Sequence, residues 1–324
     1  MTLSKFDEGI YLDVDTKEQF NSIDSIIFDC DGVLIDVTES YDLTIKKTVD
    51  YILKEFAKIS NPIQVDAKII DGFKATGGFN DEVDLAYAAI LSIYAANNLG
   101  ENQFDFVFKV IENSNETGII SVEKYLENLT DISQIKTQLD YPGKHGENPL
   151  YVVFDQFFYG PDLFLKLFNK ESQFSEKGLI ENDKVIVTTE LTSQLKKRFN
   201  DKISIVTGRG LESIKYPLKN ILNEFNTSNS FFLEDESREL AKPNPESLIR
   251  AISGLESDHC LYVGDSFEDF IMAKKATESG NKTTFCGIIG TSKEPQKKLK
   301  LFEEKDALIV LDSINLLPKV LNQV

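Results

Sequence analysis

Several features typical of membrane, secreted and disulfide-bonded proteins are missing from this sequence. No run approaches the roughly 20 apolar residues that a membrane-spanning helix needs. Residues 1–8 lack the basic-then-apolar pattern of a secretory signal peptide. Cys30, Cys260 and Cys286 are odd in number, form no CxxC pair and adjoin apolar runs, where a free thiol behaves as a small apolar side chain. We therefore expect a reducing, cytoplasmic compartment.

Basic residues are also few for a chain of this length. Lys and Arg number 35 against 53 Asp and Glu, which leaves a formal net charge of -18. Nucleic acids and anionic membrane surfaces are bound mainly through basic surface, so neither is expected as a partner. The acidic surplus is otherwise what a solvated surface shows.

Short apolar runs alternate with helical patterns over much of the chain. Its 324 residues predict two domains, or one domain with a large insertion. The alternation favours an α/β fold, a Rossmann-like, doubly wound parallel sheet with helices on both faces. We expect residues 1–23 to add an edge strand or a helix. Strands are predicted at 25–28, 203–206, 231–233, 260–263, 283–285 and 308–311, and helices at 210–225, 245–254, 267–279, 294–302 and 313–320.

The segment 37–182 has a different pattern and predicts an inserted, mainly α-helical domain. Apolar residues recur there at three- and four-residue spacing, as at Leu85, Ala89 and Ile93. Polar and turn-forming residues between about 113 and 146 predict long loops. The core is then formed by 1–36 and 183–324. Helices of the insertion are predicted at 38–57, 65–76, 81–97, 121–128 and 149–169.

Asp29, Thr207 and Asp265 each follow a predicted strand. Ligands of open α/β sheets lie beyond the carboxyl ends of the strands. We therefore expect these three residues, which are far apart in the chain, to meet at one edge of the sheet.

Asp29 is the candidate nucleophile, because a carboxylate can accept a phosphoryl group and divide hydrolysis into two easier steps. Asp31 is placed to protonate the leaving oxygen and then to activate water. Gly32 permits a tight turn beside the phosphate. A calcium-binding loop also begins Asp-x-Asp, but it needs an oxygen ligand and a glycine where Val33 and Leu34 stand.

Thr207, Gly208 and Lys242 are the candidate phosphate-binding residues. A hydroxyl and N–H groups at a helix start suit phosphate oxygens, although threonine before glycine also serves as a plain cap. Lys242 precedes a helix start with Asn244 as N-cap and Pro245 at the first helical position. A fixed positive charge there suits both a phosphate and crowded carboxylates.

Asp265 and Asp269 are the candidate metal ligands of the later segment. Being four residues apart at a helix start, they share one face. Taken alone, they also fit an N-cap and a solvated side chain. With Asp29 and the Asp31 carbonyl they predict an oxygen site for Mg²⁺, which would relieve repulsion among the carboxylates and shield attack on an anionic phosphate.

At these residues the chain resembles the haloacid dehalogenase-like hydrolase superfamily. The resemblance covers about residues 24–36 and 180–324. It implies that the first aspartate is the nucleophile, the second the general acid–base, the threonine and lysine phosphate ligands, and the last acidic pair magnesium ligands. The four signature motifs occur in order as Asp29-Cys30-Asp31-Gly32-Val33-Leu34, Thr207, Lys242, and Asp265 with Asp269.

With an acidic residue at Asp31, the chain resembles the phosphatases and phosphomutases of the family rather than its dehalogenases, which lack an acid at this position. The insertion resembles the helical cap of the first subclass, although it is longer than usual. The expected function is a Mg²⁺-dependent phosphatase of a small phosphorylated metabolite, such as a sugar phosphate or a phosphoglycolate-like compound. The alternatives are a phosphomutase of the beta-phosphoglucomutase type and a non-catalytic phosphate-binding protein; binding alone does not require Asp31.

Caps of this kind shut out water and present specificity residues. Lys74, Asn80 and Asp81, around a Gly-Gly turn, are candidates here, and their segment resembles a Gly-Gly-aromatic-Asn-Asp signature of one subgroup. The alternative is a helix–helix connection with Asn80 or Asp81 as N-cap. Arg209 is a further specificity candidate or a solvated side chain. His145, in a polar glycine-rich loop, is expected to be solvated.

Overall fold

The computed structural model describes residues 3–13, 19–79 and 81–321. The chain divides into a core unit, Met1–Thr38 with Asp183–Val324, and a helical unit, Glu39–Asn182. The helical unit is therefore an insertion in the sequence of the core unit. In the described ranges no helix combines the length and apolar character needed to cross a membrane.

Short apolar runs form the strands of the core unit. Strand β3 is buried at all four positions, the pattern of a strand covered on both faces of a sheet. The strands are β1 Ser4–Asp7, β2 Ile10–Leu12, β3 Ser25–Phe28, β4 Ile35–Asp36, β5 Lys184–Val185, β6 Ile203–Thr207, β7 Phe231–Phe232, β8 Cys260–Gly264, β9 Thr283–Ile288 and β10 Ile309–Leu311.

The main sheet has the order β1-β2-β10-β9-β8-β3-β6-β7 in the described part of the chain. Neighbours from β10 to β7 are parallel, whereas β2 pairs antiparallel with both β1 and β10. From β3 the chain proceeds first to β6 and β7 on one side and later to β8 on the other. Such a change of direction is where open α/β sheets bind ligands, so the carboxyl end of β3 is the expected site.

Helices build the inserted unit and accompany the strands of the core. Those of the helical unit are α1 Thr38–Glu55, α2 Ala67–Ala75, α3 Glu82–Leu99, α4 Gln103–Glu112, α5 Ile119–Glu127, α6 Ser133–Leu139 and α7 Pro149–Phe168. Those of the core unit are α8 Thr189–Phe199, α9 Leu211–Leu218, α10 Glu246–Gly254, α11 Phe267–Glu278, α12 Pro295–Glu304 and α13 Leu317–Leu321.

The core sheet has an apolar cluster on each face. Ile26 and Phe28 of β3 join one cluster with side chains of α8, α9 and α13, whereas Ile27 joins the other with side chains of α10, α11 and α12. This alternation follows from the two-residue period of a strand. The predicted doubly wound α/β fold is confirmed.

The helical unit has a core of its own, built around α3. This helix is buried along most of its length and contacts α2, α4, α5, α6 and α7. It begins at Asp81, whose Oδ1 accepts the N–H of Val83 at 2.8 Å, and ends at Gly100 in the left-handed conformation.

Several predicted elements differ from the observed ones. The loops expected between 113 and 146 contain α6, whereas the helix predicted at 121–128 is observed as α5. Helices α4 and α8 were not predicted. The helix predicted over 149–169 is interrupted at Gly160, whose φ of 70 and ψ of 174 are non-helical and which precedes Pro161. The helix predicted over 210–225 ends at Leu218 and is followed by a 3₁₀ helix, Lys219–Glu224.

Two further predictions for the core unit concern residues 1–23 and the start of α10. Part of the segment 1–23 forms the edge strand β1 and its neighbour β2, so the expected edge strand is observed. Helix α10 begins at Glu246, one residue later than expected. Its N-cap is Pro245 and not the predicted Asn244, although Asn244 Oδ1 accepts the N–H of Glu246 at 3.0 Å.

Candidate active site

Neighbouring parallel strands bring the carboxylates of the site together. Strands β8, β3 and β6 lie side by side, and Asp265, Asp29 and Thr207 stand at their carboxyl ends. One carboxylate oxygen each from Asp29, Asp265 and Asp269 lies within 4.8 Å of the others. The structure thus joins residues from segments that are more than two hundred positions apart in the chain.

The turn after β3 allows this approach because it contains a glycine. Gly32 has φ of +73, and a Cβ placed on it would lie 2.6 Å from the carboxyl carbon of Asp265. Any side chain there would be strained by the backbone and would displace the carboxylate. The N–H groups of Val33 and Leu34 donate to the Cys30 carbonyl, which closes the turn.

Lys242 lies at the centre of the carboxylates. Its Nζ is 2.7 Å from both Asp29 Oδ1 and Asp269 Oδ1, and its side chain is 11% exposed. Burial alone would lower the pKa of Lys242, but the Asp269 and Asp29 carboxylates outweigh it and raise this pKa well above the ordinary value. The lysine is therefore a fixed positive charge.

Asp269 is not the solvated side chain of the simpler interpretation, because it is completely buried. Its Oδ1 accepts the Tyr262 hydroxyl at 2.8 Å, and its Oδ2 accepts the N–H groups of Asp265 and Ser266 at 3.1 and 3.0 Å. Burial would raise the pKa of Asp269, but Lys242 and the hydrogen bonds from Ser266 hold it below its usual value. Asp269 therefore carries a negative charge and orders the segment that holds Asp265.

Asp29 differs electrostatically from Asp269. Burial raises the pKa of the Asp29 carboxyl well above the usual range. The charge of Lys242 opposes this rise, whereas the charges of Asp269 and Asp265 add to it. Burial, with the neighbouring Asp31, also raises the pKa of the Cys30 thiol, so Cys30 stays protonated and is a poor nucleophile. A cation beside Asp29 would favour its ionised form.

This set of donors fits a magnesium ion. Mg²⁺ prefers a small number of carboxylate oxygens together with phosphate and water, and oxygens of Asp29, Asp265 and Asp269 converge here in a region with excess negative charge. A divalent cation beside Asp29 would favour its ionised form. The predicted metal ligands are thus close enough to act together, and the Asp31 carbonyl remains a predicted fourth.

Asp31 is paired with an arginine. Its Oδ1 lies 3.4 Å from Arg209 Nε, and Arg209 Nη2 lies 2.7 Å from Asp183 Oδ2. The side chains of Arg209 and Asp183 are 3% and 1% exposed. The alternative that Arg209 is merely solvated is therefore wrong, and Asp183 was not predicted.

Thr207 and Gly208 end strand β6. Thr207 is buried, and its hydroxyl oxygen accepts the N–H of Arg209 at 3.3 Å, whereas Gly208 is exposed with open space around its Cα. The N–H groups that begin α9 donate to carboxylates of Glu234 and Asp235, at 2.8 Å each. Since those donors are engaged, the predicted phosphate contacts on this segment reduce to Thr207 and Gly208.

Lys298 is a site residue that the sequence did not indicate. Its Nζ lies 2.6 Å from Asp265 Oδ2, and its side chain is 18% exposed. It stands on α12 among other lysines, in a segment that looks like an ordinary basic surface helix. No local pattern distinguishes Lys298 from Lys297, because its partner Asp265 follows strand β8 and is distant in the sequence.

The specificity candidates of the insertion lie in the helical unit. Lys74 Nζ is 3.2 Å from Glu82 Oε1, and Asp81 caps α3, which agrees with the alternative of a helix–helix connection. Asn80 lies outside the described residues. A Cβ on Gly78 would lie 2.5 Å from the N atom of Gly118, so close packing explains a glycine there. A role of this segment in specificity stays a prediction.

His145 was expected to be solvated, and this is wrong. Its Nδ1 lies 2.8 Å from Asp155 Oδ1, and its ring centroid lies 4.1 Å from that of Tyr151. Asp155 is buried, and its Oδ2 accepts the N–H of Gly146 at 2.8 Å. The aspartate on α7 thereby anchors the loop that precedes the helix.

Comparison with known proteins adds a family and a fold. The family described as haloacid dehalogenase-like hydrolase matches residues 23–277. A comparison with curated proteins found no match. Among solved structures, Phosphatase Tt82 from Thermococcus thioreducens is 23% identical, with a TM-score of 0.56 over 81% of this chain and 92% of that one. A target of the Northeast Structural Genomics Consortium is 17% identical, with a TM-score of 0.64 over 93% and 99%.

Proposed function

The chain belongs to the haloacid dehalogenase-like hydrolases, and from that premise we propose that it is a Mg²⁺-dependent phosphatase of a small phosphorylated metabolite. The observation that carries this proposal is the position of Asp29. Asp29 Oδ1 lies 2.7 Å from Lys242 Nζ. A carboxylate oxygen of Asp29 also lies close to one oxygen each of Asp265 and Asp269. A nucleophile, metal donors and a fixed cation thus share one small, largely buried volume.

In the first step a carboxylate oxygen of Asp29 attacks phosphorus. A bond forms between that oxygen and phosphorus, and the bond from phosphorus to the ester oxygen breaks. Asp31, as the carboxylic acid, gives its proton to the departing ester oxygen, and the alcohol leaves. The product on the enzyme is an aspartyl-phosphate at Asp29.

In the second step water attacks the aspartyl-phosphate. Asp31, now a carboxylate, takes a proton from the water as its oxygen bonds to phosphorus, and the bond from phosphorus to Asp29 breaks. Inorganic phosphate leaves, Asp29 is again a carboxylate and Asp31 is again an acid. Both steps use the same pair of residues, which stand two positions apart at the end of β3.

The remaining residues hold the phosphate and balance charge. Lys242 supplies a permanent positive charge against the phosphate oxygens, and Thr207 and Gly208 supply a hydroxyl and an N–H. Asp29, Asp265, Asp269 and the Asp31 carbonyl would hold Mg²⁺. Bound there, the ion would neutralise carboxylate and phosphate charge.

The test is release of inorganic phosphate from sugar phosphates, phosphoglycolate, amino-acid phosphates and nucleotides, with Mg²⁺ and with chelator. We expect Mg²⁺-dependent release from at least one class, and none from Asp29→Asn. Asp24→Asn is a matched control, because Asp24 lies at the opposite end of the same strand and accepts hydrogen bonds from Ser257 and the His259 backbone. It should cost stability and leave turnover in place.

Each other outcome counts against the proposal. Substantial turnover by Asp29→Asn would remove Asp29 as nucleophile. Isomerisation of a sugar phosphate with little release of phosphate would identify a phosphomutase instead. Absence of both reactions, with phosphate bound by the wild type, would identify a non-catalytic binding protein.

A further inference from the structure

We propose that Arg209 is a positioning residue that orients the general acid–base Asp31, and that Asp183 holds the arginine in the required place. The proposal rests on the proposed function, because it assigns a partner to the proton-transfer group of that mechanism. It replaces the predicted role of Arg209 in substrate specificity. It also assigns a role to Asp183, which was not predicted from the sequence.

The geometry places Arg209 between two carboxylates. Its Nη2 donates to Asp183 Oδ2 at 2.7 Å, and its Nε, on the same edge of the planar group, lies 3.4 Å from Asp31 Oδ1 as an ion pair without a hydrogen bond. A guanidinium presents its donors in a rigid fork, so fixing the position of Nη2 also fixes the direction of Nε. Asp183 therefore sets where Arg209 points, and Arg209 sets where the Asp31 carboxyl lies.

Burial explains why two carboxylates share one arginine. Arg209 is 3% exposed and Asp183 is 1% exposed, whereas Asp31 is 25% exposed. An isolated buried charge is costly, so the deeply buried Asp183 serves as the main counter-ion of Arg209. Asp31, on the more open side, keeps the access that a group exchanging protons with substrate and water requires.

The chain positions of the three residues support the same role. Asp31 is in the turn after β3, Arg209 follows the phosphate-binding Thr207, and Asp183 is the first residue of the returning core segment, directly before β5. Strand β5 pairs with β4, which follows the Asp31 turn. The ion pairs therefore tie the acid–base turn to the phosphate-binding strand end and to the point where the chain re-enters the core.

The test compares two probes of similar shape, p-nitrophenyl phosphate and phenyl phosphate, in rapid-quench experiments with Mg²⁺. Nitrophenolate leaves readily without a proton, whereas phenolate needs one. In Arg209→Lys, formation of the phosphoenzyme from phenyl phosphate should fall about 10²-fold, the usual scale of general acid–base help, and formation from p-nitrophenyl phosphate should fall only a few-fold. Slow hydrolysis of the phosphoenzyme should then leave a burst of nitrophenol followed by slow turnover.

A second variant guards against a folding defect. Arg209→Met with Asp183→Leu removes the buried pair together, which leaves no uncompensated charge and is often tolerated. It should fold and show the same difference between the two probes. Arg198→Met is the matched control: Arg198 donates to the backbone carbonyls of Phe20 and Leu321, so its loss should lower the melting temperature and leave the ratio of the two rates unchanged.

The outcomes separate this proposal from the proposed function. Equal losses on both probes, with a raised KM, would mean that Arg209 acts on phosphate binding, and unchanged rates would mean that it has no role; either overturns the inference while the phosphatase stands. If wild type forms no phosphoenzyme and releases no phosphate from either probe or the metabolite panel, the proposed function fails first.

Discussion

Lys242 in the core unit and Lys74 in the helical unit were both singled out from the sequence, yet their surroundings differ. Lys242 Nζ lies 2.7 Å from two carboxylates and its side chain is 11% exposed. Lys74 Nζ lies 3.2 Å from Glu82, eight residues along the chain, and its side chain is 41% exposed. Lys242 pairs with residues that are distant in the sequence, whereas Lys74 pairs with a residue that is near it in the sequence.

A similar contrast holds between the aspartates of the site and two aspartates of the helical unit. In the core unit, Asp29, Asp265 and Asp269 converge from two strand ends and a helix start. In the helical unit, Asp81 caps the helix that follows it, and Asp155 anchors a loop ten residues away. In these examples, long-range contacts concentrate charge at the site of the core unit, whereas local contacts stabilise elements of the helical unit. The predictions below test this contrast.

The largest expected effect is that of Lys242→Met. Removing this ammonium leaves Asp29 and Asp269 buried without their cation, which should cost about 3–5 kcal/mol in the free energy of unfolding. Lys74→Met, the matched variant of the helical unit, should cost no more than about 1 kcal/mol because Lys74 is 41% exposed and its ion pair is screened by water. Urea unfolding of both variants measures the difference. Similar losses would contradict the contrast between the units.

A smaller difference is expected between two glycines with positive φ. Gly32→Ala meets both backbone strain and the Asp265 carboxyl 2.6 Å away, whereas Gly77→Ala, with φ of +83, meets nothing within 4 Å. Gly77→Ala should cost about 1–2 kcal/mol, and Gly32→Ala should cost more. Gly32→Ala should also abolish the rise in melting temperature that Mg²⁺ gives the wild type. A Mg²⁺ response preserved in Gly32→Ala would speak against a metal at Asp265.

Asp155→Asn tests the local anchoring of the helical unit. The buried carboxylate accepts from Gly146 N and pairs with His145, so its loss should cost about 1–3 kcal/mol. Asp50→Asn is the control, because Asp50 pairs with Lys54 at the surface of α1 and should cost less than about 0.5 kcal/mol. Chemical denaturation distinguishes them. Equal stability of both variants and wild type would show that the loop needs no anchor.

The smallest effect concerns pH. Burial, with Lys282 nearby, lowers the pKa of His259 from 6.5 to about 4. The unfolded chain therefore binds a proton at this residue between pH 6.5 and 4 while the folded chain does not, so stability falls as pH falls through that window. Down to about pH 5.5, one unit below the ordinary pKa, we expect a loss of about 1.4 kcal/mol, with His259→Gln giving a flatter profile. An unchanged pH profile in His259→Gln would assign the acid loss to other groups.

Much of the core could be predicted from residue patterns. Short β-branched runs indicated β3, β6 and β8, and parallel strands necessarily bring their carboxyl ends to one edge, so Asp29, Thr207 and Asp265 were expected together. The capped, periodic helix α3 was also predicted close to its observed bounds. Helices α4 and α8 were missed for different reasons. Helix α8 is mostly polar, whereas in α4 the phenylalanines Phe104, Phe106 and Phe108 recur at a two-residue spacing that is not helical.

The partners of the site residues could not be predicted in the same way. Lys298 meets Asp265, and Asp183 meets Arg209, across segments whose sequence spacing carries no period. The pattern around His145 suggested a solvated loop, because a buried carboxylate ten residues later, inside an apolar helix, has no signature of its own.

By itself the sequence determined the family, the strand and helix content of the core, and the six residues expected to carry the chemistry, since these depend on local patterns and on the direction of parallel strands. Only the tertiary structure decided how charge is distributed among them. It placed Lys242 between two carboxylates, buried Asp269, and held Arg209 between Asp31 and Asp183. The physical reason is that burial and long-range ion pairing depend on distances in space, which a linear sequence does not express.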